Sequence, residues 1–215
     1  MRTIKFLFFV TRQGIAKRIV LSDLQNIRRA GLRALNLNED DALVDVRLTD
    51  GEQNILIATH EGKAICFDEN EVRAMGRVAT GVRGIKLAEG ARVAAFNVVP
   101  AGKVAWTYEE GENGLTSGSG AVVLTVAGDS DALPGTENGA AKVTPLEMYP
   151  TKGRATGGVR SQRFLKGQNT LILAWVGLYP LHASTSAGSP VELPKPDMRR
   201  DGSGVDLASP IAFIA

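Results

Sequence analysis

Four short segments that combine arginine or lysine with glycine are the part of this sequence whose residue types and spacing best suit ligand binding. They read RRAGLR at 28–33, GRVATGVR at 76–83, GRATGGVR at 153–160 and RRDGSGV at 199–205. Guanidinium and ammonium groups neutralise phosphates, which supply affinity without reading base sequence. Glycine turns also let backbone amides approach a phosphate. These four stretches, here called the basic segments, indicate contact with a nucleic-acid backbone.

The overall charge hides this pattern. The chain has 25 basic and 23 acidic residues and a formal charge of +2. Yet no acid occurs within 72–88 or 148–191, the stretches around the second and third basic segments, whereas acids cluster at 39–52 and 109–112. A plainer interpretation is that the basic segments are solvated loops whose glycines permit a positive φ. The two interpretations are compatible with each other.

The basic segments recur in step with a second pattern, Thr-x-x-Gly. This pattern occurs at 11–14, 59–62, 136–139 and 185–188. From its glycine to the glycine of the following basic segment (Gly31, Gly81, Gly158 and Gly204) the distances are 17, 19, 19 and 16 residues. Two patterns that stay in phase over four copies indicate an internal repeat, and a period near 50 residues is typical of propellers.

Short β-branched and apolar runs flank each Thr-x-x-Gly, which predicts about four strands per repeat. Such units bury both faces only by packing around an axis, so we expect one all-β domain over 1–215, a propeller of about four to five four-stranded blades. The repeats are predicted at about 4–53, 54–100, 121–177 and 178–215, with an insertion at 101–121 that forms a protruding hairpin or loop. The apolar Pro210–Ala215 is expected to close the ring against the first blade.

Equivalent positions in equivalent blades bring the basic segments to one rim, where they would meet the curved backbone of double-stranded DNA. Bending a duplex around this rim costs on the order of a few kcal/mol, which several contacts would offset. The residues predicted to contact DNA are Arg12, Lys17, Arg18, Arg28, Arg29, Arg33, Arg73, Arg77, Arg83, Lys86, Lys152, Arg154, Arg160, Arg163, Lys166, Arg199 and Arg200. The alternative is a propeller that serves as a protein–protein docking platform.

The sequence lacks the motifs of common catalytic and metal sites. One cysteine (Cys66) and two histidines (His60 and His182) are too few for a usual zinc site. Neither Gly-x-x-x-x-Gly-Lys-Ser/Thr nor Gly-x-Ser-x-Gly occurs, so an enzyme with a site in a central channel ranks last. We expect no catalysis by this chain alone, no cofactor and no metal. With no signal peptide and no apolar run that could span a bilayer, we expect a cytoplasmic, nucleoid-associated protein without membrane contact.

Three stretches resemble a known family. Residues 71–87, EVRAMGRVATGVRGIKL, closely resemble the blade motif in the C-terminal domain of the A protein of DNA gyrase and of its topoisomerase IV counterpart. TRQGIAKR at 11–18 is similar to the strand-turn-strand that precedes this motif, and YPTKGRATGGVR at 149–160 is similar to a later blade. The resemblance covers nearly the whole chain and is weakest over 100–130 and 178–198.

The resemblance implies a β-pinwheel, a propeller whose blades exchange strands with their neighbours, and a basic rim that binds and bends DNA beside the cleavage site. It implies three partners: double-stranded DNA, the remainder of the topoisomerase A subunit, and the ATPase B subunit. The family's nucleophilic tyrosine belongs to a cleavage region that this chain lacks. Tyr108, Tyr149 and Tyr179 are therefore not expected to be catalytic, and the ATP-hydrolysing topoisomerase reaction would belong to the parent enzyme.

One departure from the family concerns the gyrase hallmark box, QRRGGKG, which is absent. The nearest string is KGRATGG at 152–158, in a different context. Its absence favours a topoisomerase-IV-like or truncated domain over gyrase-type wrapping. The first half of the chain reads more like gyrase and the second more like a topoisomerase-IV-type tail, which leaves an engineered chimera as a further alternative.

Overall fold

The computed structural model describes residues 4–27, 29–110, 116–133 and 135–215, whose regular structure is β-strand apart from four short 3-10 helices. The first repeat holds β1 (Phe6–Thr11), β2 (Ile15–Val20) and β3 (Leu43–Thr49). The second holds β4 (Gln53–Thr59), β5 (Lys63–Asp68), β6 (Val82–Arg83) and β7 (Val93–Pro100). A hairpin of β8 (Thr107–Glu110) and β9 (Thr116–Ser119) precedes the third repeat, which holds β10 (Ala121–Gly128), β11 (Ala140–Pro145), β12 (Val159–Arg160) and β13 (Thr170–Leu178). The fourth holds β14 (Ala183–Ser184), β15 (Pro190–Val191), β16 (Val205–Asp206) and β17 (Phe213–Ile214). The 3-10 helices are Leu21–Leu24, Glu69–Glu71, Ala101–Lys103 and Leu146–Met148.

The Thr-x-x-Gly turns join the first two strands of a repeat. In the first turn the Gly14 N–H donates to the Thr11 carbonyl (2.9 Å), and the Thr11 hydroxyl accepts the Ile15 N–H (3.2 Å). The same two bonds close the turns that begin at Thr59 and Thr185. Gly14 has a φ of +81°, which residues with a Cβ rarely adopt. The pattern recurs because threonine supplies an acceptor and glycine supplies left-handed backbone.

The third Thr-x-x-Gly lies instead in a longer connection, residues 129–139, between β10 and β11. The Thr136 hydroxyl and backbone N–H both donate to the Leu133 carbonyl (2.7 and 3.1 Å), so this threonine ends a turn instead of beginning one. The Glu137 carboxylate accepts the Asp129 N–H and so ties the two ends of the connection together. The extra residues of this repeat therefore occupy two places, this connection and the segment before β10, and not the 101–121 insertion alone.

Each of the three four-stranded sheets takes its outermost strand from the following repeat. The strand orders are β3-β1-β2-β6, β7-β4-β5-β12 and β13-β10-β11-β16. The exchanged strands pair in one register, since Val82 lies opposite Ala16 and Val159 lies opposite Ala64. This exchange confirms the expected all-β fold of the pinwheel type.

The glycine that precedes each exchanged strand touches the backbone of the neighbouring blade. A Cβ on Gly81 would lie 2.7 Å from the Ala16 carbonyl oxygen, and one on Gly158 would lie 2.6 Å from the Ala64 carbonyl oxygen. Both glycines also have positive φ values, +109° and +70°. Strand exchange by itself therefore requires these glycines, and their recurrence does not by itself indicate a ligand.

The blades pack on each other through the edge strand that lies opposite the exchanged strand in each sheet. β3 contacts β7, and β7 in turn contacts β13, so these three strands form the inner side of the assembly. Between the first two blades the core contains Phe8 and Phe96, with ring centroids 5.6 Å apart, together with the fully buried Ile57 and Phe67. Because the exchanged strands occupy the opposite edge of each sheet, the second, third and fourth basic segments, which contain or adjoin these strands, lie at the outer edge.

The fourth sheet has three strands among the described residues, in the order β15-β14-β17. Phe213 lies opposite Ser184, and Ile214 lies opposite Ala183, within the same repeat. The expectation that 210–215 closes a ring against the first blade is therefore wrong, because these residues supply the third strand of their own sheet. The position in the first repeat that corresponds to an exchanged strand, Leu32–Arg33, lies outside any strand.

The segment expected to protrude folds back on the body of the protein at its base. There the Trp106 side chain is buried beside the rings of Tyr108 and Tyr179, with centroids 6.1 and 5.6 Å away. The Glu147 carboxylate accepts the Trp106 backbone N–H (2.8 Å). Trp106 therefore acts as a packing residue and offers no face for stacking on a base.

Candidate nucleic-acid interface

The exchanged strands and the loops before them place arginines at the outer edge of the first two blades. Arg83 lies opposite Ile15 at the edge of the first blade, and Arg160 lies opposite Lys63 at the edge of the second. Edge strands leave one side open to solvent. Arg83 and Arg160 therefore occupy equivalent positions on adjacent blades, whereas the equivalent residue of the third blade is Asp206.

Ten of the predicted contact residues expose their side chains and make no hydrogen bond or ion pair through them within the described part of the chain. These are Arg29, Arg33, Arg73, Arg77, Arg83, Lys86, Lys152, Arg160, Arg163 and Lys166. Exposed guanidinium and ammonium groups keep all their donors for a ligand, and phosphate oxygens are the acceptors that they fit best. We call these ten residues the free cations.

Three further arginines brace one part of the protein against another. Arg154 donates from Nε to the Glu71 carbonyl and from Nη1 to the Arg83 carbonyl, each at 3.0 Å. Arg200 donates in the same way to the Arg160 carbonyl. Arg154 and Arg200 occupy the same position in the third and fourth basic segments. Each binds the last residue of the exchanged strand in the preceding basic segment. Arg12, half-buried, donates to the Asp40 carbonyl (2.6 Å).

Arg199 differs from the braces because its side chain is exposed. It pairs with Asp197 at 3.2 Å. Such a surface pair contributes little to stability, so its guanidinium can still meet an anion.

Lys17 does not fit the prediction of a DNA contact. Its side chain is buried, and Nζ donates to three carbonyl oxygens, those of Ala34 (2.8 Å), Arg77 (2.6 Å) and Ala79 (2.6 Å). An ammonium group has three N–H donors, and all three are used. Burial lowers the pKa of Lys17 below its usual value.

Arg18 is also withdrawn from the predicted interface. Its guanidinium stacks on the Phe6 ring, 3.7 Å from the centroid, and lies 3.5 Å from the buried Glu69 carboxylate. Nη1 donates to the Glu69 carbonyl (3.1 Å) and to the Asn70 side chain (2.9 Å). Both Lys17 and Arg18 lie on β2, an interior strand that is covered on both faces, so neither side chain reaches solvent.

One predicted contact, Arg28, lies outside the described residues. Another residue was missed by the sequence argument. Lys63 is exposed directly opposite Arg160 across β5 and β12, so the two side chains share one face of the sheet. Like charges at opposed positions repel, and an anion between them would relieve the repulsion. The repeat pattern does not predict Lys63 as a contact, because the equivalent residue of the first repeat is Ile15.

Tyr149 lies in the interior, and the acidic residues of the described ranges are dispersed with respect to metal binding. Tyr149 is buried, with its hydroxyl 2.6 Å from Ser161 Oγ, and burial raises its pKa to about 12. Over these residues no three of the His, Cys, Asp and Glu side chains form a group suited to a metal ion. No helix there is long and apolar enough to cross a membrane.

Comparison with known sequences gives a consistent result. A family profile described as "DNA gyrase C-terminal domain, beta-propeller" matches residues 5–50, 53–100 and 135–172. The DNA gyrase A subunit of Haemophilus influenzae is 36% identical over 171 residues, which is 79% of this chain and 19% of that protein. The DNA gyrase A subunit of Staphylococcus aureus strain MRSA252 is 33% identical over 199 residues, which is 92% of this chain and 20% of that protein. The chain thus spans about one fifth of the length of these relatives.

Solved structures show the same fold. The C-terminal domain of a DNA topoisomerase IV superposes with a TM-score of 0.73 at 24% identity, covering 98% of this chain and 61% of that one. A DNA gyrase A C-terminal domain superposes with a TM-score of 0.69 at 17% identity, covering 99% of this chain and 66% of that one. From the sequence match and the exchanged-strand blades together, the chain belongs to the family of DNA gyrase C-terminal β-propeller domains.

Proposed function

We propose that this chain binds duplex DNA along its outer edge and bends it, as the non-catalytic C-terminal part of a topoisomerase A subunit. The parent would be an ATP-hydrolysing topoisomerase, and the partners would be the ATPase B subunit together with the remainder of the A subunit. The observation that carries the proposal is the set of free cations, which lie in or near the basic segments of the first three repeats. Two of them, Arg83 and Arg160, occupy equivalent positions on the exchanged strands of adjacent blades.

A duplex that binds more than one blade is expected to bend. Arg83 and Arg160 occupy equivalent positions on adjacent blades, and these blades pack on each other through β3 and β7. A duplex that reaches both must follow the outer edge. Contacts to the backbone suit this role because they position DNA without regard to its sequence.

The test compares two triple variants of equal charge change. The edge variant is Arg77→Ala, Arg83→Ala and Arg160→Ala. The control is Lys5→Ala, Arg47→Ala and Lys103→Ala; two of these cations already pair with Asp50 and Asp45 at 3.4 and 2.7 Å. Binding to a duplex is measured by fluorescence anisotropy across a salt series. Each lost phosphate contact reduces the magnitude of the slope of log K against log salt by about 0.9. For the edge variant, which loses three contacts, this slope should therefore be smaller in magnitude by roughly 2.7.

We expect the control variant to keep both the affinity and the salt dependence of the parent chain. Equal losses in both variants would mean that only net charge matters. An unchanged edge variant would remove the proposed interface altogether.

A second candidate function, docking to another protein, has one observation in its favour. Leu43 and Leu48 on β3 are 45% and 55% exposed, an apolar pair on the open face of an inner strand. If docking is the function, DNA binding is weak and does not saturate, whereas the remainder of the A subunit is retained in a pull-down. Replacement of both leucines by serine would then abolish retention and leave DNA affinity unchanged.

A further inference from the structure

Two buried lysines occupy the same position in two repeats. Lys17 and Lys142 each stand three residues after the glycine of a Thr-x-x-Gly, Gly14 and Gly139. Both side chains are buried, and burial is the main cause of the lowered pKa of each. Neither amine can meet DNA directly, so the reason for a cation at this position must lie inside the protein.

Each lysine lies under the basic segment of the following repeat. Lys17 Nζ donates to the carbonyl of Arg77, and Lys142 Nζ donates to the carbonyl of Arg200 at 3.0 Å. Arg77 and Arg200 are equivalent, since each stands four residues before the glycine of its exchanged strand, Gly81 or Gly204. In two repeats, therefore, a buried lysine binds the backbone carbonyl at the same position of the following basic segment. A chance surface contact would not produce this repetition.

The contacts around Lys17 fix the direction of a whole loop. The carbonyls of Arg77 and Ala79 accept from Lys17, and the carbonyl of Val78 between them accepts from the Asn36 side chain at 2.5 Å. Three consecutive carbonyl oxygens thus each accept a hydrogen bond from a side chain of the first repeat. Arg77, one of the free cations, is exposed in this loop, whose backbone these hydrogen bonds hold.

The second repeat, which has no lysine at this position, holds its basic segment by another route. Its equivalent residue is Ile65, and a cavity of about 150 Å³ lies there, lined by Ile65, Lys152, Thr156 and Gly158. The carbonyl of Arg154 receives no lysine in the described structure; instead the Arg154 guanidinium binds the carbonyls of Glu71 and Arg83. The fold thus fixes each of these loops, by a lysine from below or by the arginine itself.

From this equivalence we infer that Lys17 and Lys142 are positioning residues for DNA contact: each holds the backbone of a basic segment so that Arg77 in one segment and Arg199 in the other face the duplex. The inference rests on the proposed DNA-binding function. On this account the two lysines affect DNA affinity without touching DNA, because each acts through the loop that it holds.

A double-mutant cycle with Lys17→Met and Arg77→Ala in the full chain tests this. Methionine keeps the apolar length of lysine and removes the three hydrogen bonds. Anisotropy with a duplex should show several-fold weaker binding for each single variant. The double variant should bind as weakly as Arg77→Ala and no weaker, because Lys17 acts through the loop that carries Arg77.

Amide hydrogen exchange supplies a second readout. Residues 77–81 should exchange faster in Lys17→Met, whereas in Arg77→Ala the loop keeps its protection, since the lysine still holds it. If Lys17→Met fails to fold, Asn36→Ala removes only the Val78 hydrogen bond and should give the same two effects in weaker form.

Three outcomes would overturn the inference. One is unchanged affinity in folded Lys17→Met, which would leave a purely structural role. Another is that Lys17→Met weakens DNA binding by the same factor in the parent chain and in Arg77→Ala, which would mean that Lys17 acts independently of the loop. The third is unchanged exchange in the loop. If the parent chain itself does not bind DNA, the proposed function fails, and this result is distinct from all three.

Discussion

Burial divides the basic residues of this protein into two groups with different tasks. Lys17 and Arg18 lie on an interior strand that is covered on both faces, whereas Arg83 and Arg160 lie on edge strands. Sequence patterns identify both groups as basic residues near glycine and do not separate them. What separates them is strand position within the sheet, which depends on pairing between repeats. The interface that we propose therefore keeps the exposed cations and leaves out Lys17 and Arg18.

Lys142 gives a prediction at the residue scale, because burial lowers its pKa to about 8. In the unfolded chain its pKa is about 10.4. Between these values the unfolded chain binds more protons than the folded one, so this residue makes stability rise with pH, at up to about 1.4 kcal/mol per pH unit. Below about pH 8 the charge persists in both states and the contribution no longer changes with pH.

The measurement is the free energy of unfolding by urea for the parent chain and for Lys142→Met at pH 7.5, 8.5 and 9.5. The parent should gain stability relative to the variant as pH rises. Cys66, whose pKa burial raises to about 11, acts in the opposite direction, but it is present in both proteins and cancels in the comparison. A difference that stays constant with pH would show that Lys142 titrates normally.

At the scale of elements, the exchanged strand is what links repeat to repeat. The Thr-x-x-Gly turns and the short apolar runs predict hairpins from local chemistry alone, and the structure has them in the first, second and fourth repeats. The exchange itself was expected only from resemblance to a family, because β6 and β12 have two residues each and no periodicity of their own. Local patterns likewise could not show that the third repeat carries its extra residues in two places.

The glycine before an exchanged strand should be more sensitive to substitution than its neighbours. Gly81→Ala puts a Cβ 2.7 Å from a backbone oxygen at a φ of +109°, and strain of this kind costs on the order of 1–3 kcal/mol. Gly76→Ala, in the same basic segment, meets nothing within 4 Å and should be nearly neutral. Thermal unfolding of both variants checks this. Equal melting temperatures would show that the exchanged strand tolerates a side chain.

At the scale of the whole molecule, the hydrophobic clusters lie between blades, and the free cations lie on the outside of the first three repeats. Adjacent blades pack on each other through β3, β7 and β13, and the exchanged strands lie at the opposite edge of each sheet. Repeat length and phase sufficed to predict a propeller. They did not predict the three-stranded fourth sheet, because the two-residue strand Phe213–Ile214 carries no signal for its partner.

The central claim is that this outer edge bends DNA, and one measurement tests it most directly. A duplex of about 40 base pairs, far shorter than the persistence length of roughly 150 base pairs, carries an energy-transfer pair at its ends and is titrated with the chain over a range of salt concentrations. We predict saturable binding that weakens steeply with salt, together with a rise in energy transfer as the ends approach. Binding without any rise in transfer, or no binding even at low salt, would contradict the claim.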